Sequence, residues 1–173
     1  MRNLITQFGL DDRLQSANLK RYVLQCTVAG GVVLILLFVL DAITQTVLIA
    51  ALGASTFIAF ALPRSLHSDP RHMIGGYVVG TAAGGLLGTA NASLGYADAA
   101  GGHSMMIVFG ALAIALAMFL MVITKTEHPP AAALALGLVL NEWDLLTLLV
   151  VIGGVIALSM IKQLILLLLM DLL

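Results

Sequence analysis

The residues best placed for chemistry lie in one short run, TKTEHPPAAALALGLVL, from Thr124 to Leu140. Lys125, Glu127 and His128 bring together a cation, a carboxylate and an imidazole, with the hydroxyls of Thr124 and Thr126 beside them. Pro129 and Pro130 follow. Proline lacks a backbone N–H and is tolerated in the first helical turn, so HPP ahead of AAALALGL reads as a helix start. Such a terminus directs a partial positive charge and free amides, here expected from about Ala131 and Ala132, back toward Glu127 and His128. The chemistry on offer is the holding of a small anion. A histidine at a helix N-terminus resists a second positive charge, so His128 reads as a hydrogen-bonding gate or a proton relay. Glu127 opposes anion binding unless it pairs with Lys125 or carries a proton. The plainer reading is a cytoplasmic loop whose prolines merely start a helix, with Lys125 and Glu127 in water.

A second run, LGASTFIAFALP from Leu52 to Pro63, interrupts apolar sequence with Gly53, Ala54, Ser55 and Thr56. These offer a helix break with hydroxyls facing the same pathway, or a small-residue packing site with hydroxyls bonded back along their own helix. The loop SLHSDPRHM gathers Arg64, His67, Asp69, Arg71 and His72: a solvated loop, or a vestibule that collects anions through Arg64, Arg71 and His72. No zinc-protease, nucleophile-elbow or P-loop motif is present. Ser55 and His128 could in principle form a dyad, but nothing in their spacing recommends one. No enzyme, no metal and no cofactor is expected.

The elements that position these residues must be membrane helices. Of 173 residues, 61% are hydrophobic and 10% charged, against roughly 25% charged in a soluble domain; the mean hydropathy is +1.08. Apolar blocks approach the ~20 residues that cross a ~30 Å hydrocarbon core, without the alternation of a barrel strand. They cover 22–40, 42–62, 73–90, 105–124 and 145–169, with a short sixth over 129–140, about 18 Å as a helix. Residues 1–21 read as an interfacial segment, with Leu4, Ile5, Phe8 and Leu14 on one face, and 22–173 as a single transmembrane domain. The one cysteine, Cys26, permits no internal disulfide. A net charge of -1 and the lack of a basic block exclude an electrostatic nucleic-acid partner.

Counting the short segment as a crossing puts Arg2, Arg13, Lys20, Arg21, Arg64, Arg71 and Lys125 on one side, and Asp41, Asp98, Glu142 and Asp144 on the other. The excess of basic residues marks the first side as cytoplasmic, with both termini there and Lys162 snorkelling to that face. The expected fold is all-α, about six segments in two antiparallel halves of three, the middle member of each half broken or short. Gly76, Gly80, Gly84 and Gly88 recur every fourth residue, a strip for close helix packing. The tail LILLLLMDLL overruns a span and points to tilt or to a subunit contact in a homo-oligomer.

Three motifs in order, GASTFIAFALP, DPRHMIGGY and EHPPAAA, make the chain resemble the HPP family of integral membrane proteins over about residues 22–169. The resemblance implies a nitrite-type anion carrier or channel, its motif residues here being Gly53, Ala54, Ser55, Pro70, Arg71, Gly75, Gly76, His128, Pro129 and Pro130. Some relatives add a soluble regulatory domain of CBS type; with no soluble sequence read after Leu169, nucleotide regulation in cis is not expected. The expected function is transport of a small inorganic anion, nitrite or nitrate, across a bacterial inner membrane, along Gly53 to Thr56, Thr124 to Thr126 and His128 to Ala132. The alternatives are a non-transporting subunit that binds a partner through its glycine strip, and a proton or cation pathway through Glu127 and His128.

Overall fold

The computed structural model describes residues 16–39, 46–94, 102–169 and 171. Among these the chain is all-helical: α1 Ser16–Val39, α2 Thr46–Ala61, α3 Pro70–Ser93, α4 Gly102–Thr124, α5 Pro129–Leu140 and α6 Leu145–Ile165, with a 3-10 turn, Leu66–Ser68, before α3. Most of the expected interfacial segment, with Leu4, Ile5, Phe8, Leu14, Arg2 and Arg13, lies outside the described residues, as do Asp41 and Asp98; Ser16 to Arg21 are helical and continuous with α1.

Local chemistry sets the helix ends. Asp69 caps α3, its carboxylate accepting from the Arg71 amide at 3.3 Å, and Pro70 fills a first-turn position that needs no donor. α4 stops in a Schellman turn. Lys125 takes a positive φ of 54°, the Thr126 amide reaches back to the Met121 carbonyl at 2.9 Å, and the Lys125 amide to that of Val122 at 3.3 Å. α5 begins at the two prolines and ends where Asn141 turns extended. Asp144 caps α6, taking both the amide and the hydroxyl of Thr147 at 2.7 Å.

Among the described residues, three helices, α3, α4 and α6, are long and apolar enough to cross a membrane. α4 exposes Ile107, Leu112, Phe119 and Val122, a surface suited to lipid and not to water. α2 and α5 are the short ones, at 16 and 12 residues. α5, about 18 Å long, is enclosed by α2, α3 and α4. In a bilayer that enclosure supplies the partners its irregular flanks need, because lipid offers none.

The glycine strip faces α5. A Cβ at Gly84 would lie 2.5 Å from the Ala135 carbonyl oxygen and one at Gly88 2.7 Å from that of Leu138; at Gly80 it would overlap the Ala131 carbonyl. Two backbones therefore touch where side chains would normally stand between them. The pairing runs from Gly76 beside His128 to Gly88 beside Leu138, so α3 and α5 are parallel. α2 runs against α5, with Ser55 beside His128 and Leu48 beside Gly137.

Contacts also gather the helix ends. Gln25 donates to the Phe60 carbonyl, Lys162 Nζ to Ser68 O at 3.0 Å, and Arg71 Nη2 to Thr124 O at 3.3 Å, while the Arg64 amide meets Asp171 Oδ1 at 3.2 Å. Lys20, Arg21, Arg64, Arg71, Lys125 and Lys162 thus share one end of the bundle, and Glu142 and Asp144 lie at the other. Lys162 does not snorkel as expected. It is 3% exposed, because a backbone carbonyl of the 3-10 turn lies within its reach and takes the place of water.

Candidate functional site

A buried polar centre forms where α2, α3 and the start of α5 meet. Ser55 Oγ lies 2.8 Å from His128 Nε2 and 2.9 Å from the Tyr77 hydroxyl, and 3.0 Å from the carbonyl of Ala51 one turn back on α2. His128 Nδ1 lies 2.9 Å from the His67 carbonyl. Ser55, Tyr77 and His128 are each 0% exposed, so every polar atom must find its partner within the protein. A carbonyl can only accept, which places a proton on Nδ1 and leaves Nε2 to face the serine. In the neutral imidazole, Nε2 accepts from Ser55, and Ser55 accepts from Tyr77.

The depth of this centre follows from the glycine pairing. His128 is level with Gly76, six residues along α3 from Pro70, or about 9 Å. The turn Leu66–Ser68 covers it from the basic end. His67 Nδ1 donates to the Glu127 carbonyl at 2.8 Å, so the two segments hold each other by reciprocal bonds, one in each direction. Glu127 faces His72 Nε2 at 3.6 Å, and Asp69 lies 3.8 Å from its Nδ1. At the opposite end, the two Thr147 hydrogen bonds hold the Asp144 carboxyl below its usual range.

Of the residues expected along a pathway, the structure brings Ser55 and His128 into contact and buries Thr56, Thr126, Pro130 and Ala131 nearby. Thr56 bonds back to Leu52 O at 2.9 Å. Thr124 and Thr126 bond to each other at 2.7 Å, with Thr126 packed on Gly75. Ala132 is half-buried, whereas Ala54, Lys125 and Pro129 are exposed, and nothing stands within 4 Å of the place a Cβ would take on Gly53. Arg64 and Arg71 are exposed, and His72 is buried between two carboxylates.

One expectation needs correction. The amide of Ala131 is not free: it donates to His128 O at 2.9 Å, and the two positions before it are prolines with no N–H to offer. The first turn of α5 is therefore poor in donors, and the polar atoms at its start are side chains. Ser55 sits mid-helix, where neighbouring amides are bonded along the helix, so no pair of them forms an oxyanion hole.

Tyr77, His67 and Lys162 were not singled out for this centre. The signal for Tyr77 was a phenol inside a glycine-rich membrane helix, since a buried Tyr hydroxyl requires a partner. At the other end, a cleft of about 700 Å³ is lined by Gly88, Asn91, Leu138, Asn141 and Trp143.

No curated protein and no solved structure matches the chain. Its sequence matches the family described as HPP, transmembrane region, over residues 14–169. That match takes in all six described helices, and the histidine of the His-Pro-Pro run, His128, lies in the buried centre. The chain is an integral membrane protein and belongs to the HPP family.

Proposed function

We propose that the protein is a transporter or channel for a small monovalent anion, nitrite or nitrate, and that the anion passes the Ser55, Tyr77 and His128 centre. The observation that carries this reading is the centre itself. Polar and ionisable groups within a membrane bundle are costly and mark transport paths or relays. Ser55 and Tyr77 come from the first three helices and His128 from the last three, so the path runs between the two halves. The antiparallel α2 and α5 support an inverted arrangement of those halves. Neutral hydroxyls and an imidazole bind an anion without trapping it, as a fixed charge would. The gathering of basic residues at one end supports a bacterial inner-membrane orientation with both termini cytoplasmic.

The test is flux into liposomes carrying the purified protein, with nitrite, nitrate, formate and chloride. The expected result is nitrite or nitrate flux above empty vesicles, reduced at least about tenfold by His128→Ala. No flux, or flux unchanged by that substitution, overturns the reading; no flux leaves a non-transporting membrane subunit, whose partner surface is not the glycine strip, since α5 already covers it.

A further inference from the structure

We propose that the centre carries a proton together with the anion, so that its substrates are small weak oxoacids, nitrite and not nitrate. This inference rests on the transport reading above.

The Ser55 hydroxyl has two acceptors within reach, His128 Nε2 at 2.8 Å and Ala51 O at 3.0 Å. When the imidazole is neutral, the hydroxyl points at Nε2. When Nε2 carries a proton, it donates to Ser55 Oγ, and the hydroxyl rotates to Ala51 O. Tyr77 donates to Oγ in both states. The His67 carbonyl accepts from Nδ1 in both states as well. Both charge states are thus satisfied without moving a heavy atom, the second acceptor being the carbonyl one turn back that a helical hydroxyl reaches, as Thr56 reaches Leu52 O.

Among the described residues, no fixed cation reaches the centre. Lys162 donates to Ser68 O, Arg71 to Thr124 O, and Lys125 is exposed. The titratable groups around His128 are Tyr77 and His72 on α3, His67 on the covering turn, Glu127 next in the chain, and Lys162 on α6 through Ser68. An anion entering alone would meet only neutral dipoles. A weak acid also brings a proton, which can charge the imidazole for as long as the anion is bound. Its O–H bond breaks as its proton passes to Ser55 Oγ, while the Ser55 proton passes to Nε2. The O–H electron pair stays on the departing oxyanion, Ser55 ends neutral, and the new imidazolium holds the anion. Reversal of both transfers releases the acid on the other side. Nitrate and chloride, the anions of strong acids, bring no proton and do not charge His128.

The test uses the full chain in liposomes with a pH dye in the lumen and a membrane potential set by potassium and valinomycin, each rate read as the excess over empty vesicles. Nitrite and formate should acidify the lumen at a rate independent of the potential, with nitrate inert. His128→Gln keeps hydrogen-bonding atoms but cannot take the proton, and should lose about tenfold or more of the rate. Wild-type nitrite or nitrate flux that follows the potential without acidification overturns the proton inference and leaves the transport reading standing. Absence of flux for every anion removes the transport reading itself.

Discussion

Lys162 and Ser68 are 94 residues apart in sequence, and the ammonium of one donates to the carbonyl of the other at 3.0 Å. That bond ties α6 to the turn whose neighbouring carbonyl, on His67, fixes the proton on His128 Nδ1. Lys162→Met should leave the Ser68 carbonyl without its donor and cost about 1–3 kcal/mol. Thermal unfolding in detergent should show the loss, hydrogen exchange should quicken over residues 62–69, and Lys162→Arg should fall between the two.

The glycine strip predicts a contrast within one residue type. Gly84→Ala places a methyl 2.5 Å from the Ala135 carbonyl oxygen and should destabilise by about 1–3 kcal/mol. Gly53→Ala meets nothing within 4 Å in a helix interior and should be neutral or stabilise by up to about 1 kcal/mol. Melting temperatures of the two variants check the pair, and equal effects would refute the account of α3 and α5 packing.

Ser55, Tyr77 and His128 should behave as a unit. Tyr77→Phe removes one hydrogen bond, at about 1 kcal/mol, and Ser55→Ala leaves both its neighbours short of a partner, at about 1–3 kcal/mol. The double variant should cost less than the sum, since each change removes part of the same network. A double-mutant cycle that adds up would show the groups to be independent.

At the helix termini, Lys125 holds a left-handed conformation that glycine adopts freely. Lys125→Gly should preserve or slightly raise the melting temperature, and Lys125→Val should lower it. Asp144 gives a pH test. Its folded carboxyl is held below the unfolded range by Thr147, so its contribution is present above about pH 4 and is lost as pH falls through the lower folded value. Asp144→Ala should lower the melting temperature at neutral pH and have a smaller effect in acid.

The helices were the legible part of this chain, because their signals are local. Pro129 and Pro130 announce the start of α5, Asn141 ends it, and the capping residues Asp69 and Asp144 stand directly before α3 and α6. The polar centre was legible only in pieces. Ser55 and His128 stood out as polar residues in apolar runs, but their contact joins positions 73 residues apart, and no periodicity reports such a distance. The fate of the Ala131 amide was likewise hidden, since a helix start in sequence does not say whether the cap carbonyl will bend back to take the first available donor. Lys162 was misread because hydropathy rules assume that water is the partner of a lysine near a helix end.

Glycines spaced by four come close to the 3.6-residue turn of a helix. By shape alone, α5 would meet nearly the same groove after sliding one turn, about 5.4 Å, along α3. Gly76 would be replaced by Gly80 with little change in fit. The hydroxyls and the imidazole have no such repeat: after that slide His128 would lie a full turn away from Ser55. The polar trio therefore acts as a register key in a seam that packing leaves degenerate, as a single buried polar residue does in a coiled coil.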